Sequence, residues 1–159
     1  MTPDELRAQV RRLPARTVLA LTVWGEARGE PVVGQVAVAW VIVNRARYRR
    51  QKVPTVCLAK WQFSCWWEAS RNRDLLFARV LRVLNGDVVP ETRWLDLLQR
   101  CHQVLVDGVP DPTGGADHYL TTALYASENR PTWAGVMPVT ATIGRHTFLR
   151  DLGDRPCEP

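Results

Sequence analysis

One carboxylate stands where the chain has almost nothing else polar. Val18 to Gly25 is almost wholly apolar and runs directly into Glu26. Burying a carboxylate without a partner costs several kcal/mol, so a sequence that carries one to the edge of its core has a use for it. Two uses fit. A structural ion pair with Arg28 or Arg45 would satisfy the charge. Acid–base chemistry is the other. A carboxyl at the C-terminal end of a helix, beside Val23 and Trp24, is disfavoured as an anion by the helix dipole and by desolvation. That is the condition for donating a proton near neutral pH. Arg28 would oppose it if its guanidinium reached the carboxylate. Glu30 is the rival acid, but it stands just before Pro31, where an acidic N-cap on the next helix is a sufficient role.

The elements that must position Glu26 follow from the apolar pattern. A short helix is expected over residues 3–12, with Thr2 as cap, Pro3 at the first position, Glu5 closing a capping box and Pro14 ending it. The helix carrying Glu26 runs from about Thr17 to Ala27, with Gly29 placed to stop it. Pro31 opens a long helix to about Tyr48, apolar on nearly every side from Val32 to Val43 and therefore buried. Thr55 to Ala59 forms one further turn. WQFSCWW (61–67) is rich in β-formers without a helical stripe, and reads as a short strand with Phe63, Cys65 and Trp67 on one face and Gln62, Ser64 and Trp66 on the other. Residues 72–85 form a helix that buries Leu76, Phe77, Val80, Leu81 and Leu84 and ends at Gly86. From Glu91 to Val106, Trp94, Leu97, Leu98, Cys101 and Leu105 mark a second amphipathic helix. DPTGGADHY (111–119) is a turn entering an extended stretch, Asn129 to Gly135 a loop holding Trp133, and TATIGRHTF (140–148) is β-compatible. The expected fold is mainly α with a small β or extended region, in one domain spanning residues 1–159.

Composition narrows the partners. The net charge of +5 comes almost entirely from arginine, clustered in RARYRR (45–50), which reads as a solvated face attracted to an anionic polymer. No apolar run reaches the ~18 residues of a membrane span, and MTPDELRAQVRRLP has no secretory h-region. Cys57, Cys65, Cys101 and Cys157 show no metal-ligand spacing, so no metal or other cofactor is expected; Cys101 falls on an apolar stripe and reads as a buried free thiol.

EARGE followed by GQVAVAWVIVNR (26–45), then QFS (62–64), DPTGGADHY (111–119), PTW (131–133) and IGRHTF (143–148), resembles the cell wall hydrolases of the spore cortex-lytic enzyme type, which also occur as phage endolysins. The resemblance covers about residues 17–149. It implies a lysozyme-like fold similar to that of lytic transglycosylases, cleavage of the glycan strand of peptidoglycan, and Glu26 as the catalytic acid. The chain departs from the family at His118, Tyr119, Leu120 and Thr121, where relatives often carry an aromatic pair and Asn, which leaves the role of His118 open.

Glycoside cleavage by two carboxyl groups would require a partner for Glu26; Asp117 is the best placed in sequence, ahead of Glu68 and Glu128. A single Glu used twice, with the substrate's 6-hydroxyl as nucleophile, would instead give a lytic transglycosylase; a muramidase is the hydrolytic alternative. Gln62, Ser64, Asp117, His118 and Tyr119 are suited to binding N-acetyl and hydroxyl groups, Ser64 and Tyr119 foremost because they lie in matched motifs. Asp111 and Thr113 build the turn, His146 packs, Trp94 is core, and Trp66 or Trp133 could stack on a sugar. The leading expectation is a monomeric endolysin, held in the host cytoplasm before release to the wall or periplasm. It would act on peptidoglycan, with the anionic outer membrane as a further surface and no nucleic acid partner. A non-catalytic basic module binding wall polymer or nucleic acid is the alternative, and a wall-anchoring protein that has lost activity is a third.

Overall fold

α2 (Ala15–Ala27) is the spindle of the computed structural model, which describes residues 1–87 and 91–153. Val18 to Val23 have no accessible surface. A helix that is apolar on every side needs neighbours on every side, and α2 has them: α3 (Val32–Tyr48), α4 (Val53–Cys57), α5 (Ser64–Trp67), α6 (Arg71–Leu84) and α7 (Thr92–Leu105) all pack on it. Each of its fully buried Val and Leu side chains contributes ~1.5–3 kcal/mol of transfer free energy. The polar exception, Thr22, is satisfied: its hydroxyl donates to the Val18 carbonyl at 2.8 Å and accepts from Trp66 Nε1 at 3.0 Å.

α1 (Pro3–Val10) carries the expected capping box, with Thr2 Oγ1 accepting from Glu5 N and Thr2 N donating to Glu5 Oε2. α3 is apolar all round because it separates two cores. Val38, Ile42 and Val43 face the helices, whereas Ala37 and Val41 close a small cluster with Ala116 and Phe148 beneath a sheet. That sheet has the order β1–β3–β2, all antiparallel, from β1 (His118–Thr121), β2 (Val139–Ile143) and β3 (His146–Leu149). β2 and β3 form a hairpin over a two-residue turn, and Gly144 takes a φ of 55° at its first position, a conformation few other residues tolerate. Two further short helices flank β1 and β2: α8 (Thr122–Tyr125) and α9 (Thr132–Val136).

Several sequence expectations change. Residues 64–67 are a helical turn, not a strand: Phe63 is extended and Ser64 begins α5, so Cys65 and Trp66 are both buried while Ser64 is exposed. The alternation failed because this turn is too short to show a helical period. Trp133 lies on α9 rather than in a loop, and the extended stretch after His118 breaks into α8. On α6, Leu76 and Val80 are buried, but Leu81 is 42% exposed, one position off the buried stripe. Glu30 does not cap α3. Pro31 occupies the cap without a side-chain hydrogen bond, and Glu30 pairs with Arg145 at 2.7 Å. Cys57, Cys65 and Cys101 are buried free thiols; Cys157 lies outside the described residues. Among the described residues no helix is long and apolar enough to cross a membrane, and no three His, Cys, Asp or Glu side chains converge as a metal site would need.

Candidate active site

Glu26 sits in the last turn of α2, and both of its carboxylate oxygens are held. The backbone N–H of Cys65, in the first turn of α5, donates to Oε1 at 3.0 Å. The Tyr119 hydroxyl, from β1, donates to Oε2 at 2.9 Å. The first N–H groups of any helix lack partners within it, and here one of them orients a carboxylate. Arg28 donates to the Trp24 carbonyl and to Asn72 Oδ1 and lies over the Trp24 ring, on the opposite side of the helix.

The approach of α5 to α2 depends on Gly25. A Cβ there would stand 2.7 Å from Cys65 Cβ and 2.8 Å from its sulfur, closer than such atoms pack. The residue before Glu26 must therefore be glycine for the Cys65 N–H to reach Oε1. Tyr119 is fixed by its own neighbours, with His146 edge-on at 5.3 Å and Phe148 at 5.9 Å between ring centroids. Burial, with the adjacent Glu26 charge and the hydrogen bond to it, pushes the Tyr119 hydroxyl well above its usual pKa, so it keeps its proton and remains a donor.

Arg45, buried on α3, ties the helices to the sheet. Its Nε and Nη2 donate to the Asp117 carbonyl at 2.8 and 2.6 Å, and its Nη1 to Gln62 Oε1 at 3.0 Å. Asn44 does the same for the DPTGG turn, donating to Asp111 Oδ2 and the Ala116 carbonyl, both at 2.9 Å. Asp111 and Thr113 build that turn as expected: the Asp111 carboxylate accepts from Thr113 N, Thr113 Oγ1 and Gly115 N.

A cavity of about 480 Å³ opens above Glu26. Gln62, Ser64, His118 and Tyr119 line it together with Glu26, so five of the six residues singled out from the sequence converge. Asp117 does not. It has no accessible surface and points away from the cavity, its Oδ1 accepting from His118 Nδ1 at 2.9 Å and from Asp151 N at 2.8 Å. Burial raises the Asp117 pKa, but the His118 and Asp151 hydrogen bonds and the charges of His118 and Arg45 outweigh it and hold the carboxyl below its usual value. It is therefore placed to orient His118, not to act on a ligand in the cavity. Trp66 is also excluded as a stacking surface, being fully buried against Thr22. Trp133 is available: it lines the cavity with its ring 5.4 Å from His118. Trp61, which sequence reasoning passed over, is the most exposed aromatic wall, 68% accessible, in a left-handed backbone conformation and 5.9 Å from Trp67. Preferring it to Trp66 required knowing that residues 64–67 turn helically.

Residues 29–149 match the Cell Wall Hydrolase family. The chain belongs to that family. Glu26 falls just ahead of the matched residues, whereas the other cavity residues named above lie inside them. Among relatives of this cell wall hydrolase are the spore cortex-lytic enzymes of Oceanobacillus iheyensis, 28% identical over 136 residues, and Halalkalibacterium halodurans, 32% identical over 136 residues. These alignments take in 84% and 82% of this chain but 40% and 33% of the relatives, so the chain spans well under half of their length. Among solved structures, it is similar to the catalytic domain of the Bacillus cereus SleB protein (28% identity, TM-score 0.53, 86% of this chain and 89% of that one). It is also similar to the catalytic domain of the germination-specific lytic transglycosylase SleB from Bacillus anthracis (27% identity, TM-score 0.54, 86% and 93%). The fold is accordingly the lysozyme-like one, mostly helical with a small three-stranded sheet.

A second cavity adjoins His146. Glu30, Thr121, Thr122 and Arg145 line it. His146 is shifted below its usual value by burial, with Arg145 acting in the same direction and Glu30 and Glu26 against it. It packs on Tyr119 as a neutral ring at neutral pH, in keeping with the packing role read from the sequence.

Proposed function

We propose that this cell wall hydrolase is a lytic transglycosylase cleaving the peptidoglycan strand between N-acetylmuramic acid and N-acetylglucosamine, with Glu26 as both acid and base. The observation that carries this reading is that Glu26 is the only carboxylate lining its cavity among the described residues. Inverting hydrolysis calls for two carboxyl groups ~6.5–9.5 Å apart and the retaining route for two at ~5–5.5 Å. Glu30 lines a different cavity and is paired with Arg145. With one carboxyl the proton can be passed twice. Protonated Glu26 donates to the glycosidic oxygen as the bond from C1 breaks. The resulting carboxylate then takes the proton of the muramic acid 6-hydroxyl, whose oxygen closes onto C1. No water is consumed, and the product carries a 1,6-anhydro ring.

The residues around Glu26 suit this sequence of steps. Tyr119 and the Cys65 N–H fix the carboxyl plane through two hydrogen bonds, which keeps one acid aimed at a leaving oxygen and then at a nucleophile. Gln62, Ser64 and His118 offer polar groups at the wall, and Trp61 and Trp133 offer faces for sugar rings. Mass spectrometry of digested sacculi tests the reading. Anhydro-muropeptides, one water lighter than hydrolysed ones, are expected. Reducing-end muropeptides alone would replace the transglycosylase by a muramidase, and intact sacculi would sink the catalytic reading altogether.

We extend the proposal to an endolysin made in the host cytoplasm, supported by a net charge of +5 that favours an anionic wall. Purified protein should clear chloroform-permeabilised Gram-negative cells; tight binding without clearing would favour a non-catalytic wall-binding module.

A further inference from the structure

A cavity of about 680 Å³ lies on the side of α2 opposite Glu26. Trp24 and Arg28 are one helical turn apart and both line it, while Glu26, two residues from each, projects about 200° away. At its wall Arg79 is held between two indoles, its guanidinium carbon 4.6 Å from the Trp24 ring centre and 5.2 Å from that of Trp94. The Arg79 side chain is only 10% exposed. Its Nη2 donates to Glu91 Oε2 at 2.7 Å, but its Nε and Nη1 are buried without a partner among the described residues. Arg28, Arg93 and Arg100 also line the cavity, Arg28 donating to Asn72 Oδ1 and Arg100 to Gln35 Oε1. The carboxylates present, Glu30 and Glu91, are already engaged by Arg145 and Arg79. The N-termini of two long helices, α3 at Val32 and α7 at Thr92, also meet this wall and add positive potential.

A buried guanidinium with unpaired donors is unfavourable unless something accepts from it. Four arginines around two tryptophan faces make a site for an anion with an apolar flank. We propose that this cavity binds carboxylates of the peptidoglycan stem peptide, as a second contact to the polymer that Glu26 cleaves. The choice of the wall peptide as source rests on the function proposed above. A stem peptide carries several carboxylates separated by short apolar groups, and it recurs along the glycan, so one strand or its neighbour can occupy both faces of α2.

The test uses the whole chain with 15N-labelled tryptophan indoles, Trp24 and Trp94 being assigned by single Trp→Phe variants. Three probes are titrated: the N-acetylated tripeptide L-alanyl-γ-D-glutamyl-meso-diaminopimelate, glutarate, and a peptide-free glycan tetrasaccharide. The tripeptide is expected to shift the Trp24 and Trp94 signals and leave Trp61 and Trp133 in place, and the glycan to do the reverse. Arg93→Glu with Arg100→Glu, both near the protein surface, should weaken tripeptide binding on the order of 10-fold or more, the scale of one lost charge-assisted hydrogen bond. Arg79→Gln should do the same if it remains folded, which thermal melting checks. Absence of tripeptide shifts at Trp24 and Trp94, or affinity unchanged by the charge reversals, would overturn the site. Equal shifts from glutarate would overturn the wall peptide as its source. The tripeptide has no glycosidic bond, so its binding stands or falls independently of whether sacculi are cleaved.

Discussion

Replacing Gly25 with alanine should disable Glu26 without touching it. The new Cβ would meet Cys65 Cβ at 2.7 Å and its sulfur at 2.8 Å, and Leu76 Cδ2 at 3.1 Å. Carbon contacts settle at ~3.5–4.0 Å, so α5 must retreat by roughly 1 Å. Leucine can turn aside, but Cys65 Cβ is bonded to the backbone that moves. The Cys65 N–H now lies 3.0 Å from Glu26 Oε1; after the retreat it would lie beyond the ~3.2 Å reach of a good hydrogen bond. Overpacking of this kind costs ~1–3 kcal/mol, leaving a folded but destabilised protein. A misplacement of ~1 Å at a catalytic group lowers turnover ~100-fold. The double variant Gly25→Ala with Cys65→Gly removes both clashing atoms and should recover most of the rate, although glycine in the helical turn forfeits ~1 kcal/mol of stability. Release of soluble muropeptides from sacculi measures the rate, and thermal melts measure the stability. A fully active Gly25→Ala protein, or a double variant no better than the single, would refute the claim that this contact positions the acid.

Other outcomes follow from the same geometry. Glu26→Gln should abolish sacculus cleavage with little loss of melting temperature, since Gln keeps the shape and cannot donate the catalytic proton, whereas Glu30→Gln should remain active; inactivity confined to a well-folded Glu30 variant would move the acid to that residue. Tyr119→Phe removes the donor to Oε2 but keeps the ring packing, so the carboxyl is oriented by the Cys65 N–H alone and turnover should fall by up to ~100-fold, the scale of a misaimed catalytic group; an unchanged rate in sacculus digestion would count against that bond. The fold should be sensitive to alkali. Burial pushes the Cys57 thiol from 9.0 up to about 12, so its contribution is fully present below pH 9 and is lost as pH rises toward 12, at up to ~1.4 kcal/mol per pH unit. Denaturant melts across that range should show Cys57→Ala with a flatter decline than the parent. His146 runs the other way: its folded value is depressed below 6.5, so its contribution is full above pH 6.5 and is lost as pH falls below it. His146→Gln should flatten that acid limb of the melting curve.

The sequence was most readable where one physical demand dominated. The apolar run of α2 and that of α3 from Ala37 to Val43 demanded burial and received it, whereas Val32 and Val33 in the first turn of α3 stay exposed; the position of Glu26 at the end of the first run followed. Thr2, Pro3 and Glu5 specified a helix start through two local hydrogen bonds and a proline at the first position, which no tertiary contact had to decide. DPTGG was equally local: Asp111 and Thr113 close the turn with their own side chains. Residues 61–67 were misread because four residues of helix carry no period, and β-propensity mostly reports fit to a half-buried surface. That error set Trp66, which is core, beside Trp133 as a stacking candidate and hid Trp61, which is the exposed wall.

Asp117 shows a different boundary between sequence and site. Its spacing beside His118 and Tyr119 was sound evidence that the three belong to one local unit, and they do. His118 and Tyr119 both line the cavity and Asp117 does not, its carbonyl being held by the Arg45 bonds set from α3 across 72 positions of sequence. A β-strand sends successive side chains to opposite faces, so Asp117 and Tyr119 would share a face if the strand began at 117. It begins at His118, and the backbone N–H of Asp117 is turned to the Leu149 carbonyl at 3.0 Å. The carboxylate is thus drawn under the sheet to hold His118 and Asp151, and Tyr119 alone is delivered to Glu26. Among the described residues Glu26 is thus the one carboxylate lining its cavity, which agrees with the single Glu used twice that the sequence already offered.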